Sequence, residues 1–334
     1  GTGLLAGNSS SGNTWLNGIS WSNNLAAFNS PSTFMTIGNS ILVGSTSFVT
    51  AVAQSFDYNV FWNTLIGGGF PDLNALQKSA SGWNNSTFAD PQFSNPTNMW
   101  FFPRSIAGRY DPALTNFVVD TTHSMLIDFG DPASVAWTNE SSPNGQRINA
   151  GKFGGTLLAS RSRTNAWLQA LTYNDGGQLN VLTDSIRWNY GNLPTGATVR
   201  IEFSFNSGSS WNTFATNVSA TSGIYTVVNT NFTSSRNTRW RIVLESDTSV
   251  AASNRIDFTF RNGPYRYYVN DASTVGDVFS TAPGNDVNLG TTMDLPKASV
   301  NGILTNFTLA AGDVIYVDTG LYDNSITITV SPLQ

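Results

Sequence analysis

The chain has 334 residues, of which 40% are hydrophobic and only 11% are charged, and it contains no cysteine. This hydrophobic fraction is enough for sizeable cores, whereas the lack of cysteine excludes disulfides and thiolate metal sites. The net charge of −5 argues against a nucleic-acid partner, because binding to phosphates requires clustered Lys and Arg. The sequence has no run of 18 apolar residues, so we expect no membrane-spanning helix.

The first segment, 1–165, has short apolar runs separated by Asn, Gly and Ser. Asn17, Asn39 and Asn59 each precede such a run, at intervals of 22 and 20 residues. Repeats of roughly 20–50 residues are typical of stacked structures. A repeat of about 21 residues is the size of one rung of a parallel β-helix. We therefore predict rungs here, with the three asparagines at matching positions in a stacked amide ladder.

The second segment, 166–263, has seven short runs with strand character, separated by turn residues. Residues 199–203 (Val-Arg-Ile-Glu-Phe) alternate between apolar and charged, as expected of a strand with one buried face. Seven short strands at this spacing predict an antiparallel sandwich. The predicted runs are Trp167–Tyr173, Leu179–Trp188, Thr198–Phe205, Trp211–Thr216, Gly223–Val228, Arg239–Glu245 and Ile256–Phe260.

The third segment, 264–334, combines short strands with one helix candidate. Tyr267–Val269, Val314–Val317 and Ile326–Val330 have strand character. Residues Lys297–Phe307 carry apolar side chains at helical spacing, which predicts a helix.

Four motifs follow one another in the first segment. They are 56–59 (Phe-Asp-Tyr-Asn), 89–93 (Ala-Asp-Pro-Gln-Phe), 126–132 (Leu-Ile-Asp-Phe-Gly-Asp-Pro) and 143–156 (Pro-Asn-Gly-Gln-Arg-Ile-Asn-Ala-Gly-Lys-Phe-Gly-Gly-Thr). In this order they resemble the C-terminal end of secreted bacterial right-handed parallel β-helix proteins, the pectate-lyase-like superfamily. The sequence departs from that pattern at Ser124-Met125 and in an aromatic insertion around 100–119.

The other two segments also resemble parts of such proteins. Residues 267–271 (Tyr-Tyr-Val-Asn-Asp), 312–317 (Gly-Asp-Val-Ile-Tyr-Val) and 320–322 (Gly-Leu-Tyr) resemble the N-terminal cap and first rung. The second segment is similar to the immunoglobulin-like modules that follow these β-helices. The resemblance implies an all-β chain, with right-handed parallel β-helix segments plus an immunoglobulin/fibronectin-like β-sandwich. It also implies an extracellular or cell-surface location. It does not imply any particular activity.

The distribution of ionisable residues argues against an enzyme. Residues 1–77 contain no Lys, Arg or His, and their only charged residues are Asp57 and Asp72. Proton abstraction from a polysaccharide requires a titratable group within reach of the substrate. We expect Asp57 to make turn hydrogen bonds. A triad of His123, Ser124 and Asp128 is not expected to be catalytic, because adjacent strand residues point to opposite faces.

Two further predictions concern other polar and aromatic residues. We expect Asp128, Asp131 and Glu140 to form structural pairs with Arg147 and Lys152. The run 100–103 (Trp-Phe-Phe-Pro) is the best candidate for an exposed apolar patch.

An acidic, Gly-rich loop holds Asp271, Asp277 and Asp286, whose carboxylates suit Ca²⁺. The alternative is a solvated turn, and we expect no other cofactor.

Seven sequons make the chain a candidate glycoprotein. Their asparagines are Asn8, Asn84, Asn85, Asn139, Asn217, Asn231 and Asn306.

The order of the segments favours assembly. A cap that belongs at the start of a β-helix follows the sandwich, and the join at 262–264 is too short to lead back to the rungs. We therefore expect the cap of one copy to meet the first rung of the next, in a filament or tandem array. The predicted contact set is Ile326, Ile328 and Val330 against Leu16, Ile19 or Trp21 of the neighbouring copy.

Two alternatives stay open. The chain is either a separate subunit or one period of a longer tandem polypeptide. The runner-up function is a polysaccharide-binding or lyase-like β-helix module of a larger secreted protein, because exposed aromatic residues suit sugar stacking.

Overall fold

The computed structural model describes residues 4–5, 13–21, 26–30, 35–44, 47–50, 55–64, 66, 72–79, 84–228, 231–307, 309 and 312–322. These residues form mostly strands and few helices, which confirms the predicted all-β class. No helix among them is long and apolar enough to cross a bilayer. The chain divides into two compact units, Gly1–Phe260 and Arg261–Gln334.

The first unit begins with ten short strands that pair in parallel. They are β1 (Leu4–Leu5), β2 (Asn13–Leu16), β3 (Ile19–Trp21), β4 (Ala26–Ser30), β5 (Met35–Gly38), β6 (Ile41–Val43), β7 (Ser47–Thr50), β8 (Ser55–Asp57), β9 (Val60–Trp62) and β10 (Thr87–Phe88). Each of β1 to β6 pairs with the third strand after it, giving the sheets β1-β4-β7, β2-β5-β8 and β3-β6-β9, and β10 extends the last. We call three consecutive strands a rung, so β1–β3 form the first rung and β7–β9 the third.

The register of the rungs corrects the predicted asparagine ladder. Asn17 and Asn39 occupy matching positions, but in the third rung this position belongs to Tyr58. All three have a positive φ, of 52°, 51° and 55°. Asn59 lies one position later, beside Ser40. The prediction failed because the buried apolar residues set the register. Between the second and third rungs, the spacing of these residues in the sequence is one residue shorter than the spacing of the asparagines.

Helix α1 (Leu73–Ser79) lies between β9 and β10 in the chain and was not predicted. After β10 come β11 (Phe93–Asn95), β12 (Trp100–Pro103), β13 (Arg109–Asp111) and β14 (Asn116–Val118), which form two antiparallel pairs.

The predicted exposed patch at 100–103 is wrong, because Phe101 and Phe102 are buried. Phe101 packs on Trp21 and Phe102 stacks on Phe153, so this aromatic insertion closes the core of the parallel sheets.

The rest of the first unit is antiparallel. Its strands are β15 (Trp167–Ala170), β16 (Gln178–Asn180), β17 (Ser185–Gly191), β18 (Thr198–Ser204), β19 (Asn212–Ser219), β20 (Ile224–Thr226), β21 (Ser235–Leu244), β22 (Ala251–Ser253) and β23 (Phe258–Arg261), whose last residue belongs to the second unit. They form a three-stranded sheet, β15-β17-β20, and a six-stranded sheet, β16-β23-β21-β18-β19 with β22 beside β21. The two sheets share one core, which includes Trp188 from the smaller sheet and Trp240 from the larger.

The predicted strand runs of this region all contain strands, with two differences in detail. The run Leu179–Trp188 is interrupted by a turn and separates into β16 and β17, and β22 was not predicted. The alternation at 199–203 has the predicted effect, because Val199, Ile201 and Phe203 are fully buried. Glu202 on the opposite face is held by Arg200 and Arg241.

The second unit contains β24 (Arg266–Val269), α2 (Val300–Asn306) and β25 (Val314–Val317). Strands β24 and β25 pair in parallel, and Val269 also forms a bridge to Lys297. Helix α2 starts later than predicted, because Ser299 caps it and accepts the N–H of Gly302. A buried ion pair between Arg261 and Asp313 fixes the loop before β25.

Candidate functional site

The first candidate site is the free edge of the first rung. No described strand pairs with the side of β3 that faces away from β6. Ile19 and Trp21 are in register with Ile41 and Val43, which are 0% and 4% exposed. Ile19 and Trp21 pack on the same core but are only half-buried, and Leu16 in β2 is 53% exposed. The apolar core therefore extends to this edge and is partly uncovered there.

The second unit has a free edge of opposite polarity. Its free strand, β25, comes after its partner strand β24 in the chain, whereas β3 comes before its partner strand β6. Ile315 and Val317 in β25 are in register with Tyr267 and Val269 in β24. Tyr267 and Val269 are 1% and 0% exposed, whereas Ile315 is half-buried and Val317 is 41% exposed. Among the described residues no strand covers the outer side of β25. This core is also partly uncovered at its last strand.

The predicted contact set is placed only in part. Leu16, Ile19 and Trp21 lie at the free edge of the first rung, as described above. Ile326, Ile328 and Val330, with their predicted strand, lie outside the described residues. The contact between the two sets stays a prediction.

The residues considered for catalysis do not form a triad. The Ser124 hydroxyl donates to the carbonyl oxygen of Pro91 at 2.7 Å, and the Ser162 hydroxyl donates to Asp128 at 2.7 Å. The Nδ1 atom of His123 is buried and makes no hydrogen bond. Burial, with a smaller contribution from the positive charge of the nearby Arg163, lowers the pKa of His123 to about 4. At neutral pH this imidazole is therefore uncharged.

The carboxylates of the 126–156 region form a buried network, but not the predicted ion pairs. Glu140 accepts the N–H groups of Asn149 and Gly155 through Oε1, at 2.9 and 2.8 Å. Burial raises the pKa of Glu140 to about 7 and that of Asp128 to about 6. Arg147 instead donates to backbone carbonyls at 129 and 130 and to an asparagine at 189. The hydrogen bonds of Glu140 and Arg147 thus go mainly to backbone groups, although the positive charge of Arg147 is close enough to Asp128 to lower the pKa of that carboxyl.

The predicted metal ligands serve separate backbone segments. Asp271 accepts the N–H of Leu321 at 3.1 Å, and Asp286 accepts both the N–H and the hydroxyl of Ser299. Asp277 accepts from the side chain of a neighbouring asparagine. Throughout the described part of the chain, no group of three or more His, Cys, Asp and Glu residues is arranged to hold a metal ion.

The sequon asparagines differ in accessibility. Four are exposed, namely Asn139, Asn217, Asn231 and Asn306. Asn84 is half-buried, and Asn8 lies outside the described residues. Asn85 donates to Asp57 Oδ2 at 2.7 Å, and its N–H donates to Oδ1. A glycan on Asn85 would displace its side-chain bond to Asp57. Asp57 also accepts the N–H of Tyr58 at 3.0 Å, which is a turn hydrogen bond of the kind predicted for it.

A cavity of about 440 Å³, with both polar and apolar walls, lies between the end of the parallel ladder and the antiparallel sheets of the first unit. We call it the arginine cleft, after Arg163, Arg239 and Arg255 on its walls. His123 and two glutamines, Gln92 and Gln169, also line it, and apolar side chains from 88, 125 and 168 form part of its surface. Sequence reasoning missed this site, because its residues come from segments as far apart as β10 and β22. Only the isolated histidine gave a signal.

Comparison with protein-family models, curated proteins and solved structures found no match to this chain.

Proposed function

We propose that the chain is an extracellular structural subunit that assembles head to tail through stacking of right-handed parallel β-helix rungs. In this proposal β1–β9 are rungs of such a helix, the antiparallel sheets are an immunoglobulin-like sandwich, and the second unit is the cap and first rung for a neighbouring copy. The same contact would join periods of a longer tandem polypeptide.

The observation that carries the proposal is the complementary polarity of the two free edges. All strands of a parallel ladder run in the same direction. Two ladders can therefore join in parallel only where the last strand of one meets the first strand of the other. β25 is the later strand of its ladder and β3 is the earliest of its sheet. Exposed strand edges recruit other strands, and proteins usually cover them.

The side chains at the two edges suit this contact. Ile19 and Trp21 pack on the core of the parallel sheets, and Ile315 packs on the core of the second unit. Val317 is in register with Val269, which is fully buried in that second core. Complete burial of an aliphatic side chain contributes roughly 1.5–3 kcal/mol relative to full exposure. Finishing the burial of these half-covered residues therefore contributes several kcal/mol, from which the entropy of association is subtracted.

Contact between two different edges is heterologous, so it leads to a ring or to an open filament. The test is sedimentation velocity and negative-stain microscopy of the purified chain, together with Ile328→Asp and Thr327→Asp. The predicted strand alternation directs Ile328 into the core and Thr327 to the opposite face. We expect polymers of the unaltered chain and of Thr327→Asp, and loss of polymers with Ile328→Asp. Particles of single chains at all concentrations, or equal effects of both substitutions, would contradict the proposal.

A further inference from the structure

Four large apolar side chains of the second unit are exposed around the end of β25. Val275, Val278 and Leu321 are 84%, 70% and 87% exposed, and Phe279 is 37% exposed. We call these four residues the apolar rim. Single exposed apolar residues are ordinary on a protein surface, whereas a group of them in one place usually marks a contact.

The apolar rim lies beside the free edge of the second unit. Asp318, the residue directly after β25, accepts the N–H groups of Val278 and Phe279 at 2.7 and 2.8 Å. The ring of Phe279 also contacts that of Tyr316 in β25, with 4.8 Å between the ring centroids. The rim is therefore continuous with the strand edge at which the proposed function places the contact between copies.

Carboxylates surround the apolar rim. Asp271 accepts the N–H of Leu321 at 3.1 Å. The pKa of Tyr322 is raised by burial and then by three carboxylates close to it, those of Asp271, Asp318 and Asp277. Residues 261–334 hold three Lys and Arg against seven Asp, which gives the second unit a net charge of −4. A partner surface that carries positive charge suits this end of the molecule.

The end of the first unit that holds the first rung offers such a surface. Residues 1–56 contain no charged residue, and residues 141–174 contain four Lys and Arg but no Asp or Glu. This second segment packs on the first rung, because a side-chain carbon added to Gly151 would lie 3.7 Å from Cγ1 of Ile19. Lys152 follows directly and is exposed, so it places a positive charge beside the free edge of the first rung.

The two strand edges alone are small for a stable contact. A specific interface buries roughly 800 Å² on each partner, which is more than the half-covered side chains of β3 and β25 provide. We propose that the apolar rim packs on the first-rung end of a second copy of this chain, with the carboxylates around the rim facing Lys152 of that copy. This inference rests on the proposed function and deepens it, because it assigns to the interface side chains outside the two strands.

Thiol labelling tests the rim, because the chain contains no cysteine. Leu321→Cys and Val275→Cys each place one thiol on the rim. Val287→Cys is the matched control, since Val287 is 86% exposed but lies beside α2 instead of β25. Its neighbour Asp286 accepts the N–H and the hydroxyl of Ser299, the residue that caps α2.

Polymers and single chains are separated by sedimentation and then treated with a maleimide. We expect both rim thiols to react at least about tenfold more slowly in polymers than in single chains, because a covered thiol reacts only while the contact is open. The thiol of Val287→Cys should react equally fast in both. Loss of polymers in a rim variant, with polymers retained in Val287→Cys, would support the rim as well.

Charge reversal tests the partner surface. Lys152→Glu is expected to raise the concentration needed for polymers about two- to fivefold, the range of an exposed ion pair, and added salt should reduce the difference. Arg255→Glu makes the same change of charge at an exposed residue of the arginine cleft, on the side of the antiparallel sheets, and should leave this concentration unchanged.

The results separate the rim from the stacking of rungs. Polymers in which the rim thiols react as fast as in single chains would overturn the rim and leave the stacking of rungs in place. Single chains at all concentrations would overturn both. Slow labelling of the rim thiols in single chains would mean that the chain covers the rim itself, and it would overturn the contact with a second copy. Equal effects of Lys152→Glu and Arg255→Glu would overturn the assigned partner surface.

Discussion

The side chain of Asn59 accepts the backbone N–H of Ser40 through Oδ1, at 3.1 Å, between equivalent positions of adjacent rungs. The pattern repeats on both sides, because Ser40 Oγ accepts the N–H of Gly18 and Ser86 Oγ accepts that of Asn59, both at 3.1 Å. Each rung thus supplies a side-chain acceptor for the bend of the previous rung. The two contacts of Asn59 are buried and the contact of Gly18 is partly buried, and together they hold the register of neighbouring strands.

The central member of this series should be important for stability. Asn59 is fully buried and also donates from Nδ2 to the carbonyl oxygen of Ile37 at 3.0 Å. Asn59→Ala leaves a buried donor and a buried acceptor unpaired, so we expect a loss of about 2–4 kcal/mol in the free energy of unfolding. Chemical denaturation measures this loss. Asn98→Ala, at an exposed position, is the matched control and should change stability by less than about 0.5 kcal/mol.

This series also shows what the sequence can and cannot predict. The apolar runs and turn residues predicted short strands, and the alternation at 199–203 predicted that Val199, Ile201 and Phe203 are buried. It did not predict that Glu202, on the opposite face, is buried as well. The asparagine spacing did not predict the register, because the register follows buried apolar residues in the neighbouring rung. The acceptor side chains of the observed series are two serines and an asparagine, and these residue types share no sequence signal.

Helix α1 illustrates a second limit. Its first N–H, at Leu73, donates to Asp175 Oδ2 at 2.7 Å, across 102 residues of sequence. Asp72, directly before the helix, accepts the N–H of Ala75 at 2.8 Å, so the local N-cap signal was present in the sequence and was missed. The contact with Asp175 comes from a distant segment and has no local motif.

The arginine cleft escaped prediction for the same reason, since its guanidinium groups come together only in the folded chain. By contrast, Leu16, Ile19 and Trp21 were predicted contact residues and lie at the free edge of the first rung. The free edge of β25 was not predicted, and the strand predicted at Ile326–Val330 lies outside the described residues.

The distant cap gives a local prediction. Burial raises the pKa of Asp175 to about 7. Asp175→Ala removes the acceptor of Leu73 N–H, and loss of a helix cap costs about 0.5–2 kcal/mol. We expect faster amide hydrogen exchange in α1 and little change in β18, which lies in another sheet. The control is Asp294→Ala at an exposed position. Unchanged exchange in α1 would show that the Asp175 contact does not hold the helix.

The buried Glu140 predicts a pH dependence of stability. Its pKa is raised from 4.5 to about 7 in the folded protein. A raised folded pKa means that the stabilising contribution is complete below pH 4.5 and is lost as the pH rises through about 7. We expect Glu140→Gln to remove this slope, so that the stability of the unaltered chain relative to the variant falls by about 2 kcal/mol between these pH values.

Denaturation at several pH values measures this difference, with Glu245→Gln as the matched substitution. The pKa of Glu245 is lowered by its hydrogen bond to the Thr198 hydroxyl, so its contribution is present above its ordinary pKa and is lost as the pH falls. The two variants should therefore differ from the unaltered chain in opposite directions. Parallel pH profiles would contradict the assignment for Glu140.

The last prediction tests the free edge of β25 with two valines of equal exposure. Val314 and Val317 are 42% and 41% exposed, but successive side chains on a strand alternate between faces. Val317 is in register with the fully buried Val269, whereas Val314 is in register with the exposed Arg266. If a neighbouring rung covers this edge, Val317→Asp places a charge in a closed apolar core and should abolish polymers. Val314→Asp leaves its charge on the outer face and should retain them. Sedimentation velocity separates the two results, and thermal unfolding verifies that both variants keep the second unit folded. Polymers of Val317→Asp as abundant as those of Val314→Asp would show that β25 does not enter a neighbour's core, because a buried unpaired charge costs far more than the contact contributes.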